Sequence, residues 1–135
     1  MFTFNDWRNT NEAVKEEGHW GWHLILDMSG IDIKAGKDKE TIERFFKQLV
    51  PAIDMKAVGP LIIKYLIPEQ SNAGYSALQL IETSDITFHI ADKKGLAFLD
   101  VFSCKTFDPD IVINMAKQYF KPKKIRDRFI YRDAP

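Results

Sequence analysis

A chain of 135 residues is one domain with enough mass to bury a core. Nineteen Lys and Arg balance nineteen Asp and Glu, so no global field directs it to nucleic acid or to an anionic membrane. Hydrophobic residues at 45% and charged residues at 28% suit an ordinary water-soluble domain, and no apolar run reaches bilayer-spanning length. One cysteine excludes an internal disulfide. No basic start followed by an apolar run is visible at the N-terminus, so a cytoplasmic protein is expected.

Residues 1–19 are polar with scattered aromatics and are read as an N-terminal extension, in which Phe2, Phe4 and Trp7 could pack onto the domain. Residues 20–28 alternate as a first strand, His23, Ile25 and Asp27 against Trp22, Leu24 and Leu26. Residues 29–37 are read as a loop punctuated by Gly30 and Gly36. Asp38 is an N-cap for a helix to about Val50, with Ile42, Phe45, Phe46 and Leu49 on one face and Pro51 ending or kinking it. Residues 60–67 read as a strand, followed by a loop through Gly74.

Three short strands follow, at about 75–83, 85–91 and 96–103, the last two joined by a turn containing Gly95. A sharp bend is expected at the ETSD cluster between the first two. Asp108 caps a second helix with Pro109 at its first position. Ile111, Val112, Met115, Ala116 and Tyr119 are expected as its apolar stripe, and Pro122 ends it. Residues 125–131 alternate as a final strand. The basic group Lys121, Lys123, Lys124, Arg126 and Arg128 reads as a solvated face. The order β-α-β-β-β-α-β predicts an α+β two-layer sandwich: an antiparallel-rich sheet with helices on one face.

The stretch from Gly74 to Cys104 holds the chemistry. Ser84 lies five residues before His89, and Cys104 fifteen after it. Ser76, His89 and Cys104 stand among β-branched and aromatic residues, the composition of a sheet that carries a site. Taken singly, each has an ordinary structural explanation: a small buried thiol, a satisfied histidine, a turn serine. No metal ligand set is expected.

Together they carry a resemblance. Gly74-Tyr75-Ser76, Thr83-Ser84-Asp85, His89 and Asp100-Val101-Phe102-Ser103-Cys104 resemble, without a gap, the pattern of the bacterial-type S-adenosylmethionine decarboxylase proenzymes. His23 with Asp27, and Phe120-Lys121-Pro122-Lys123, extend the likeness over about residues 20–132. The family departs from this chain at Thr83, where it has glutamate, and at Asp85, where it has histidine.

The resemblance implies a self-processing, pyruvoyl-dependent decarboxylase of polyamine synthesis acting on S-adenosylmethionine. It implies cleavage between Thr83 and Ser84 into residues 1–83 and 84–135, with Ser84 converted to the pyruvoyl cofactor. His89 would be the base for the Ser84 α-proton, and Ser76 would hold the oxyanion or hydroxyl. The pyruvoyl would form a Schiff base with the substrate amine, and Cys104 would reprotonate the α-carbon. Tyr65 or Leu66 falls where the family stacks adenine, and Lys93 where it binds ribose through a glutamate. A lysine has donors only, a poor replacement for that acceptor. Arginine or ornithine is therefore an alternative substrate, and an uncleaved paralogue an alternative to an enzyme. A homodimer of processed chains is expected, with no nucleic-acid or membrane partner.

Overall fold

In the computed structural model, which describes residues 18–135, six strands form one sheet in the order β2-β3-β4-β5-β1-β6, with every neighbouring pair antiparallel. The strands are β1 Gly21–Ser29, β2 Ala57–Leu66, β3 Gly74–Ile81, β4 Ser84–Ala91, β5 Leu96–Ser103 and β6 Lys124–Arg132. The helices are α1 Ile33–Gly36, α2 Lys39–Ala52 and α3 Pro109–Phe120. The α+β sandwich expected from the pattern is the fold observed. The reading for Phe2, Phe4 and Trp7 lies outside the described residues.

Alternation decides which face of each strand is buried. In β1, Trp22, Leu24, Leu26 and Met28 are buried, whereas His23, Ile25 and Asp27 are half-buried on the other face. The buried face is roofed by α2, through Ile42, Phe45, Phe46 and Leu49, and by α3. Phe45 sits at the centre, with the rings of Phe46, Phe88 and Phe120 at 5.7, 5.7 and 5.1 Å. Full burial of one such side chain contributes roughly 1.5–3 kcal/mol. No described helix covers the opposite face.

Several boundaries differ from the sequence reading, each for a local reason. The 29–37 loop contains α1, whose four residues are too few to show a period; Asp32 caps it by accepting from the Lys34 amide at 3.0 Å. Helix α2 runs past Pro51 to Ala52. Asp38 is its N-cap residue, and its carbonyl accepts from the Ile42 amide at 3.2 Å, but its side chain makes no capping bond; the carboxylate instead accepts from the Thr41 hydroxyl at 2.5 Å. That bond holds the Asp38 carboxyl below its ordinary range. Strand β2 begins at Ala57, and its register shifts between Val58 and Ile62, which puts Gly59 (φ +73°) and Pro60 inside a bulge. An edge strand tolerates a proline there because its missing N–H has no ladder partner to disappoint. In α3 the buried stripe is Pro109, Val112, Ile113, Ala116 and Phe120, shifted from the expected one; Ile111 is exposed. Asp108 caps α3 as expected, accepting from the Asp110 amide at 2.9 Å.

Candidate active site

The β3–β4 hairpin turns on two residues. Ile81 pairs with Ser84, leaving Glu82 and Thr83 as the loop, so Ser84 opens β4 rather than sitting between strands. Two-residue hairpin loops ordinarily place positive φ on the loop residues, so that the turn matches strand twist. Here neither Glu82 nor Thr83 does so; Ser84 instead has φ 156°.

The loop is gripped from β5. The Cys104 amide donates to the Thr83 carbonyl at 2.9 Å. The Thr83 hydroxyl lies 2.7 Å from the Ser103 hydroxyl and 3.3 Å from Met55 Sδ. Ser103 faces Ser84 across the ladder. Cys104 lies one residue past the end of β5 and is exposed, not a buried thiol within the strand.

A second cluster lies at the far end of β4. Ser76 and His89 are cross-strand partners, and Oγ and Nδ1 are hydrogen bonded at 2.9 Å. They open on a pocket of 350 Å³ that Leu66, Asn72, Gly74 and Phe98 also line. Gly74 is required by close approach: a Cβ there would fall 1.9 Å from the Ile90 carbonyl oxygen. Behind it, buried Asp92 accepts from the Tyr65 hydroxyl at 2.6 Å, while its other carboxylate oxygen has no hydrogen-bond partner among the described residues. The bond to Asp92 pushes the Tyr65 phenol above its ordinary value of 10.0. The Tyr65 ring stands edge-on to Tyr75, 5.1 Å away.

The structure therefore brings the expected residues together in two pairs. Ser84 and Cys104 flank Thr83 at one end of β4, and Ser76 and His89 meet at the other. Five residues of strand separate Ser84 from His89, about 17 Å at the strand rise, so His89 does not reach Ser84 of its own chain. Leu66 lines the pocket, but Tyr65 does not, and Lys93 is exposed on the short 3-10 turn Asp92–Lys94 outside it. On the open face, His23 bonds Asp100 at 2.9 Å and Arg128 lies 3.5 Å from Asp27. Phe98, Asp92 and Met55 carry no role in the sequence reading, and Ser103 only a place in the Asp100 to Cys104 motif. Alternation from Asp100 and His89 could have put Phe98 on the open face; nothing in the sequence marks Met55.

A model of the S-adenosylmethionine decarboxylase family matches residues 22–133. The chain belongs to the S-adenosylmethionine decarboxylase family. It is 29% identical over 113 residues to the S-adenosylmethionine decarboxylase proenzyme of Clostridium botulinum (strain Hall), a match that covers 83% of this chain and 93% of that protein. It is 32% identical over 106 residues to the proenzyme of Methanococcus maripaludis (strain C7), covering 78% and 83%. The crystal structure of the adenosylmethionine decarboxylase from Aquifex aeolicus shares the fold, with a TM-score of 0.73 at 21% identity over 88% of this chain and 95% of that one. S-adenosylmethionine decarboxylase proenzymes derive a pyruvoyl group from a serine of the chain. The surroundings of Ser84 fit that origin: the preceding carbonyl is held by an amide, in a loop too short to relax away.

Proposed function

We propose that this chain is the proenzyme of a pyruvoyl-dependent S-adenosylmethionine decarboxylase and cuts itself between Thr83 and Ser84. The observation that carries the reading is the Thr83 carbonyl, fixed on the Cys104 amide at 2.9 Å immediately before Ser84. A peptide carbonyl is a poor electrophile. A donor already on its oxygen stabilises the charge that develops there when a hydroxyl adds.

The steps balance as follows. Ser84 Oγ bonds to the Thr83 carbonyl carbon, the carbon–nitrogen bond breaks, and the hydroxyl proton passes to the Ser84 nitrogen. A base then removes the Ser84 α-proton, and Thr83 leaves as a carboxylate. Water converts the remaining dehydroalanine to a ketone with loss of ammonia. Once formed, the pyruvoyl supplies a carbonyl that takes up the substrate's α-amine and draws electron density as CO₂ departs. Cys104 holds at Sγ the proton destined for the substrate's α-carbon.

The base is an imidazole, His89, oriented by its bond to Ser76. At about 17 Å along β4 it serves a neighbour rather than its own chain. Two copies paired through their open faces about a two-fold axis would bring the His89 end of one β4 toward the Ser84 end of the other, twice over. A homodimer with two composite sites follows. The pocket beside His89, with Leu66 and Phe98 on its walls, receives the apolar part of the substrate.

Intact-mass measurement tests the reading directly. Purified chain should give two fragments, the second beginning with a group reducible by borohydride, and should release CO₂ from S-adenosylmethionine. A single intact chain with serine at 84 overturns it. Cleavage with CO₂ release from arginine or ornithine alone keeps the chemistry and changes the substrate, the outcome that the exposed position of Lys93 would favour.

A further inference from the structure

We propose that Ser103 is a positioning residue for chain cleavage, acting through the hydroxyl of Thr83; this rests on the self-processing reading and deepens it. Ser103 is fully buried. A buried hydroxyl needs partners, and those of Ser103 tie it to the residue being cut. The Lys105 amide donates to Ser103 Oγ at 2.9 Å, and Thr83 Oγ1 lies 2.7 Å away. With Ser103 accepting from Lys105, its own proton goes to Thr83, whose proton points to Met55 Sδ at 3.3 Å. The reverse order would use the longer Ser103 to Met55 contact of 3.8 Å.

Two consecutive residues of one strand end thus hold residue 83 at two points. Cys104 takes its carbonyl and Ser103 takes its side chain. Threonine carries two heavy atoms on Cβ, so fixing Oγ1 also fixes the methyl and limits rotation about the Cα–Cβ bond. The carbonyl carbon is then held still while Ser84 Oγ approaches, which matters because attack requires the reacting atoms about 3–3.5 Å apart and aligned. Lys105 secures the arrangement from outside: its ammonium binds the Asp54 carbonyl at 2.7 Å and the Asp54 carboxylate at 2.8 Å, beside Met55. Ser103 touches no reacting atom; its effect passes through Thr83.

The test is the first-order rate of chain cleavage, followed by intact mass on freshly made precursor, for Ser103→Ala, Thr83→Val, Thr83→Ser and the double variant Ser103→Ala/Thr83→Val. Circular dichroism establishes that each is folded. Ser103→Ala and Thr83→Val should each slow cleavage about tenfold, the loss of one hydrogen bond in the reacting arrangement. Thr83→Ser should cleave within about twofold of the parent, and the double variant no more slowly than the slower single. Hydroxylamine, which cuts esters, should not restore the rate, because formation of the ester is the step slowed. Parent-like cleavage in Ser103→Ala, or a double variant slowed by the product of the two factors, overturns the proposal. Should Ser103→Ala fail to fold, the contrast of Thr83→Val with Thr83→Ser decides: equal rates overturn it. A parent chain that never cleaves sinks the self-processing reading itself, whereas a parent that cleaves beside unaffected variants sinks this proposal alone.

Discussion

At the scale of single residues, Ser84 and Tyr65 show how partners assign roles. Under the proposed cleavage, Ser84→Ala removes the hydroxyl that would open the Thr83 carbonyl, so the chain should run as one species of 15.6 kDa. The parent should give fragments of about 10 and 6 kDa, in proportion to their lengths. Electrospray mass spectrometry reads this directly. Tyr65 makes a different prediction. Its hydroxyl bonds the Asp92 carboxylate, so its phenol titrates above 10.0. Because the folded value is raised, the stabilisation is complete below the unfolded value and is lost as pH rises through the folded one. Absorbance titration of tyrosinate should show two late-ionising groups, Tyr65 and Tyr131, whose phenol burial pushes up, and one of the two should disappear in Tyr65→Phe. An unchanged titration curve in that variant would contradict the pairing.

At the scale of elements, the approach of β3 to the end of β4 rests on Gly74. A methyl group there would meet the Ile90 carbonyl oxygen at 1.9 Å, and a backbone atom cannot swing aside. Gly74→Ala should cost about 3 kcal/mol, at the upper end of overpacking effects, read as a lowered urea midpoint. It should also open the Ser76–His89 pocket, since residue 74 lines it. The β3–β4 turn works in the opposite sense. Its two loop residues are conformationally ordinary, and the unusual φ is passed to Ser84. The sequence ETSD announces a turn, but which residue carries the torsion depends on the Ile81–Ser84 pairing.

At the scale of the whole molecule, the sheet is two-sided. One face is sealed by α2 and α3, while the other presents His89, Phe98, Asp100 and His23 without a described helix over them. Exposed apolar side chains such as Leu80 at 51% and Ile62 at 49% lie on that face too. Apolar surface mixed with hydrogen-bonded polar side chains is the composition of an interface, which the proposed homodimer would cover. Complementation checks the composite site. Ser84→Ala and His89→Ala precursors should each be inactive alone, whereas co-expressed chains should recover about a quarter of parental decarboxylation through mixed dimers. No recovery, with dimers present by sedimentation, would mean that each chain uses its own histidine.

Much of this was legible along the chain. Period-two alternation separated Leu24 and Leu26 from His23 and Asp27, and the stripe Ile42, Phe45, Phe46 and Leu49 announced α2, because burial on one face imposes a period on the residues themselves. The spacing of Ser76, Ser84, His89 and Cys104 pointed to the family before any coordinate. Four residues of α1, the bulge at Pro60 and the shifted stripe of α3 escaped, being set by neighbours rather than by period. Only the folded sheet could decide that His89 stands about 17 Å from Ser84, that Tyr65 binds Asp92 and that Ser103 holds Thr83. Periodicity reports which face a side chain takes; pairing across strands and through the core sets who its neighbours are, and those neighbours determine the chemistry.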